Sequence, residues 1–192
     1  MKRYASLAGA GVLALGCLTT IASAQESPVI QRTEPDGGVS NRYFRFGAKN
    51  IPHPDKLHKG GEDAWVAQSD LIVVADGVGG WANQGIDSGL FSKQLVKDIK
   101  SLFDLNPAWE LKQILADAVL ANKNTGSSTC VLVKFDTSKP DTLKATNLGD
   151  SGYLLVRPQG DGTFETIFRT KEQQFSFNFP YQCGTGAEGA PY

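Results

Sequence analysis

Hydrophobic positions along the chain follow two rhythms, and the points where one gives way to the other mark out its elements. Two short apolar runs, Ala64 to Gln68 and Leu71 to Ala75, are separated by Ser69-Asp70 and predict a β-hairpin. From Ile86 the spacing lengthens. Ile86, Leu90, Phe91, Leu95, Ile99, Leu102 and Phe103 recur at three and four, which predicts an amphipathic helix. Pro107 suits the first position of a second helix capped by Asn106, with Trp109, Ile114, Leu115, Ala118 and Val119 on its apolar side. Strand signals return from Ser127 as STCVLVKF, LKATNLG, GYLLVRP and TFETIFR. Turn formers at Lys139-Pro140-Asp141, Gly149-Asp150 and Gly160-Asp161-Gly162 separate them, predicting an antiparallel meander. Ahead of all these, RYFRFGA at 42–48 alternates like a half-buried strand and leads into a loop over 51–61. Strands, then two helices, then strands again give an α+β fold with helices packed on antiparallel sheets. After Pro180 the composition is that of a loop, and no capping strand or helix is predicted.

Length and charge narrow the picture only a little. At 192 residues the chain is about one domain long, and a formal charge of −1 gives no general pull toward nucleic acid or an anionic membrane. Residues 1–24 carry Lys2 and Arg3, an apolar stretch broken by glycines and threonines, and Ala22-Ser23-Ala24. That is the grammar of a secretory leader, with an organelle transit peptide as the alternative. The interrupted stretch is poor as a permanent membrane span, so no stable span is expected once the leader is removed. Residues 25–40 read as a polar linker, and the fold is expected from 41 to 192. Cys130 reads as a buried thiol in a strand, and Cys17, Cys130 and Cys183 are too scattered for a zinc site.

Candidate chemistry lies in the acids at strand ends and turns: Glu62-Asp63, Asp76 and Asp150. Asp63 and Asp76 flank the Ser69-Asp70 turn almost symmetrically, so the hairpin can bring them side by side at its open end. Two close carboxylates repel, and a hard divalent cation such as Mg²⁺ or Mn²⁺ relieves the repulsion. Gly77, Gly79 and Gly80 then let backbone carbonyls and a hydrated ion or phosphate come near. Read singly, each of these stretches is an ordinary turn or a solvated pair.

Taken in order, Gly61-Glu62-Asp63, VVADGVGGW, GSSTC and ATNLGDSG resemble the type 2C metal-dependent serine/threonine protein phosphatases. With EQQFSFNFPYQ they look like that family's mitochondrial branch, and the resemblance runs over residues ~43–182. It implies a β-sandwich of two antiparallel sheets flanked by helices, with two Mn²⁺ or Mg²⁺ ions at one edge. It also implies Asp76 as the carboxylate bridging the ions, the Gly77 carbonyl as a ligand, and Glu62 and Asp63 as the acidic pair on that side. Asp150 would help to hold a further, weaker ion. The implied reaction is hydrolysis of phosphoserine or phosphothreonine in a phosphoprotein by a metal-activated water, with Asp76 and Asp63 central.

Three departures from the family pattern follow. Val78 stands where most of the family has histidine; the mitochondrial branch shares the valine, which cannot donate a proton. The basic residue that grips phosphate is matched by Lys59, with His58 and Lys56 as rivals. The later Asp-Gly and Asp-Asn motifs do not occur after residue 150, so the chain is expected to correspond to the N-terminal two thirds of such a domain. The alternative function is a catalytically inactive phosphatase-like binding or regulatory module. The family likeness points to mitochondria, whereas the leader points to the secretory pathway.

Overall fold

Three two-residue strands, β1 (Tyr4–Ala5), β2 (Ala8–Gly9) and β3 (Val12–Leu13), precede the main region described by the computed structural model, residues 42–136, 138, 139 and 142–185. The rest of the 1–24 leader and the 25–40 linker lie outside the described residues. The predicted hairpin is formed by β4 (Asp63–Ala67) and β5 (Leu71–Gly77), with Gln68 N donating to Leu71 O across the turn at 2.8 Å. Helices α1 (Ser88–Leu105) and α2 (Leu111–Ala121) follow, and then β6 (Gly126–Phe135) and β7 (Leu143–Leu148). A second sheet holds β8 (Gly152–Pro158) and β9 (Phe164–Arg169), to which β1 and β3 also pair. A small hairpin of β10 (Gln174–Ser176) and β11 (Phe179–Pro180) precedes β12 (Cys183–Thr185).

The first sheet runs β4-β5-β6, all antiparallel, and two strands share the outer edge of β6. β7 pairs with Cys130 to Phe135, and β12 pairs with Gly126 to Ser128. Because side chains alternate across a strand, each face of this sheet builds its own core. Leu71, Val73, Ala75, Cys130 and Leu132 face the helices and pack on Phe91, Leu95, Ile99, Phe103 and Ile114. Ile72, Val131 and Val133 face the other way, against Phe44 and Tyr153 of β8. Covered on both sides, β6 is a continuous buried run. The result is the α+β arrangement of two sheets and flanking helices. No helix of the described residues is long and apolar enough to cross a membrane.

Five local expectations need correction. RYFRFGA forms no strand: Arg45 makes a single bridge, and Phe44 is buried against Phe135 with ring centroids 4.3 Å apart. One aromatic anchors that segment in place of a hydrogen-bonded ladder. The 51–61 loop contains a 3-10 helix over Pro54–Lys59, closed by Gly60 at φ 75°. The second helix starts at Leu111, not Pro107, because Lys134 takes the acceptors a helix would need: its Nζ donates to Pro107 O at 2.7 Å and to Trp109 O at 2.6 Å. Asn106 instead closes a turn, its Oδ1 accepting from Ala108 N at 3.0 Å. The meander is divided between sheets, since β7 stays on β6 while β8 joins the second sheet. Past Pro180, β12 does form. Gly184 permits it, because a Cβ there would lie 2.7 Å from both Gly126 O and the Ser127 Cβ.

Lys134 is 2% exposed, and burial holds its ammonium below the ordinary lysine range. Lys134→Met keeps an apolar stem but leaves the two carbonyls without their charged donor. It should cost about 1–3 kcal/mol. The check is the urea midpoint, which should fall with no change of slope.

Candidate functional site

The β4–β5 ladder sets Asp63 directly opposite Asp76, in the same register that pairs Trp65 with Val74 and Ala67 with Ile72. Directly opposed residues of an antiparallel pair project from one face, with Cβ atoms about 4.5–5.5 Å apart. That face carries Ile72 and Val74, so it is the one turned toward the second sheet. Asp63 is buried and Asp76 half-buried. On the next strand, Asp76 pairs with Thr129, whose Oγ1 lies 2.6 Å from Ser151 Oγ. Asp150 precedes that serine in the crossover between sheets. Asp63, Asp76, Thr129 and Ser151 thus form a transverse row at one end of the first sheet.

Two glycines hold this row closely. Gly77 donates its N–H to Glu62 O at 3.0 Å, and a Cβ there would meet Ser88 O at 2.7 Å and Glu62 O at 2.8 Å. Both walls are backbone, so no side chain fits. Gly149 has φ 92°, and a Cβ on it would lie 2.5 Å from Thr129 Cγ2. The GSST segment completes the support, through a hydroxyl and a backbone carbonyl. Ser128 Oγ lies 3.0 Å from Asp76 O, and Val78 N donates to Ser127 O at 2.9 Å. The sequence offers one signal for these serines and Thr129, polarity itself: three consecutive hydroxyls at the start of a strand that is buried along nearly its whole length.

Beside the row lies an ion-pair cluster. Glu62, 6% exposed, is bonded by Lys56 and by Lys59, whose Nζ is 3.0 Å from Glu62 Oε1. Lys59 also reaches Asp87 Oδ1 at 2.7 Å, and Asp87 caps α1 by accepting from Gly89 N at 2.9 Å. A Cβ on Gly79 would sit 2.7 Å from Lys56 Nζ, so the glycine loop lies over this cluster. Burial pushes the Glu62 carboxyl up, but the bonds and charges of Lys56 and Lys59 outweigh it and hold the group below its ordinary value. Asp87 follows the same pattern, with Lys59 and the Gly89 N–H outweighing burial. Its bond to Asp87 raises the Lys59 ammonium. His53 and His58 are exposed.

The fold therefore brings Asp63 and Asp76 together at the Gly77 backbone. It turns Glu62 to the lysines and sets Asp150 at the far end, beyond Thr129. Among the described residues, no three His, Cys, Asp or Glu side chains gather as a ligand cluster. Opposed carboxylates beside a backbone that excludes any Cβ nonetheless form an all-oxygen donor set, which suits a hard divalent cation.

No family model matches the chain. Probable protein phosphatase 2C 55 of Arabidopsis thaliana is 40% identical over 147 residues, which are 74% of this chain and 30% of that protein. Protein phosphatase PTC7 homolog fig of Drosophila mojavensis is 37% identical over 143 residues, 68% of this chain and 44% of its own. Its relatives are type 2C protein phosphatases. Among solved structures, the photosystem II phosphatase PBCP superposes with a TM-score of 0.62 at 33% identity, over 72% of this chain and 54% of that one. The chain thus has the type 2C phosphatase-like fold, and it spans less than half the length of these two curated relatives.

The lowered carboxyls of Glu62 and Asp87 carry a sign for stability against pH. Their contribution is fully present above the ordinary values of 4.5 and 3.8 and drains away as pH falls below them. Lys59→Met removes the shared partner and should flatten the acid limb of a stability–pH curve below about pH 4. Chemical denaturation at a series of pH values tests this, and an unchanged limb would refute it.

Proposed function

We propose that this chain bears the catalytic face of a metal-dependent phosphatase that hydrolyses phosphoserine and phosphothreonine in protein substrates. The observation that carries the reading is the register setting Asp63 opposite Asp76 at the Gly77 backbone. In this reading Asp76, Asp63 and the Gly77 carbonyl hold Mn²⁺ or Mg²⁺. Glu62 and Asp150 extend the acidic surround, Asp150 toward a further, weaker ion. Divalent cations held by these residues would supply Lewis acidity toward a phosphoryl oxygen and toward water. Lys59 orients the phosphate through its ammonium, with Lys56 as the neighbouring alternative. Asp63 and Asp76 fix the geometry, and the glycine loop leaves room for the phosphoryl group.

Cysteine chemistry is a poor competitor. Burial pushes both thiols up, Cys130 well above its ordinary value and Cys183 to about 12, so neither supplies a thiolate nucleophile. Val78, in place of the histidine most of the family carries, supports placing the chain in the mitochondrial branch. The leader supports export to the secretory pathway, and sequencing the mature N-terminus separates the two destinations. The second reading, an inactive phosphopeptide-docking module, is favoured by the hold of two lysines on Glu62.

Hydrolysis of p-nitrophenyl phosphate should require Mn²⁺ or Mg²⁺ and stop with EDTA. Asp76→Asn should lower the rate at least about hundredfold. Lys59→Ala should raise KM for the small phosphoester. Activity that survives Asp76→Asn would end the metal reading, and phosphopeptide binding without turnover would select the docking module.

A further inference from the structure

We propose that Ser127 is a positioning residue that fixes the glycine loop against β6, and so sets where the Asp76–Gly77 backbone lies. The metal part of this inference rests on the function proposed above; the loop part does not. Ser127 is 3% exposed and holds the loop at two points. Its carbonyl accepts from Val78 N at 2.9 Å, one residue past Gly77. Its Oγ lies 2.6 Å from Trp81 Nε1 and 2.6 Å from Gln182 Oε1. The direction of this chain is set by chemistry: an indole N–H only donates, the glutamine Oε1 only accepts, and the hydroxyl between them does one of each. Trp81 therefore donates to Ser127, and Ser127 donates to Gln182, next to β12.

Among the described residues, the loop has little else of this kind. Gly79 and Gly80 offer no side chains, and the turn over Gly79–Gln84 is held by its own short-range bonds, Trp81 N to Val78 O at 3.4 Å and Gly85 N to Ala82 O at 3.0 Å. Ser128, one residue along β6, lies 3.0 Å from Asp76 O. The two serines thus hold consecutive stretches of the backbone that carries the candidate ligands. A group that orients a metal-holding backbone from behind changes affinity without touching the metal.

The test compares the full chain with Ser127→Ala, Trp81→Phe and Gln182→Glu, the last keeping the acceptor. Three measurements serve: the Trp81 indole N–H resonance, amide hydrogen exchange over Val78 to Gly85, and Mn²⁺ binding followed by loss of the free-ion EPR signal. Ser127→Ala should speed exchange of the Trp81 indole and the loop amides about tenfold or more, and weaken Mn²⁺ binding about ten- to a hundredfold. Trp81→Phe should weaken Mn²⁺ binding similarly, with no further loss in the double variant, and Gln182→Glu should stay near wild type. Unchanged loop exchange in Ser127→Ala overturns the proposal, as does faster exchange with unchanged Mn²⁺ affinity. If the wild-type chain takes up no Mn²⁺, the metal reading fails and loop exchange alone decides the role of Ser127. Should Ser127→Ala not fold, Trp81→Phe is judged by the same exchange and affinity criteria.

Discussion

Two carboxylates facing each other across a pair of hydrogen-bonded strands are the constraint around which this end of the molecule is arranged. Asp63 and Asp76 cannot move apart without breaking the β4–β5 ladder, because each belongs to the register that also buries Ala64, Ala75 and Val73. The hydrophobic core therefore fixes the spacing of their backbones, and only side-chain rotation can alter the separation of the two carboxyls. A one-residue slip would send Asp76 to the helix side and Ala75 to the cleft, so apolar packing and acid placement are enforced together.

The surrounding residues divide the electrostatic work. Glu62, next to Asp63 in sequence, lies in a cluster with Lys56, Lys59 and Asp87, and positive charge is thereby held within a few residues of the acidic row. Asp87 also caps α1, which ties the lysines to the same helix whose Phe91, Leu95 and Ile99 cover the first sheet. Gly77 sits at the crossing of these demands, between the Glu62 and Ser88 carbonyls. Side-chain volume is excluded there by backbone on two sides, which explains a glycine at that position independently of any ligand.

Much of this was legible in the sequence, and the reasons differ from element to element. The hairpin and α1 were readable because their periodicity and turn chemistry are local. The pairing of Asp63 with Asp76 followed from symmetry about Ser69-Asp70, a matter of counting along two strands. What escaped was non-local. The start of α2 depends on Lys134, a residue on a distant strand that competes for Pro107 and Trp109 carbonyls. β12 is too short to show an apolar pattern: Cys183 enters the core, and the pairing continues through a glycine that must pass close to Ser127. The ties from Ser127, Ser128 and Thr129 join elements far apart in sequence, so no window along the chain contains both partners.

The shared outer edge of β6 has a further consequence. The chain leaves that edge at Leu148, opposite Cys130, and returns at Cys183, opposite Ser128, two positions away. Everything between, including β8 to β11, is an excursion whose two ends are docked side by side on one rigid strand. Such an arrangement behaves as a cassette. Lengthening its outer turns changes only a closed loop, at a cost that grows slowly with length. Its two ends are less free, because Ser151 and Gln182 are bonded to β6 and Tyr153 packs on the first sheet.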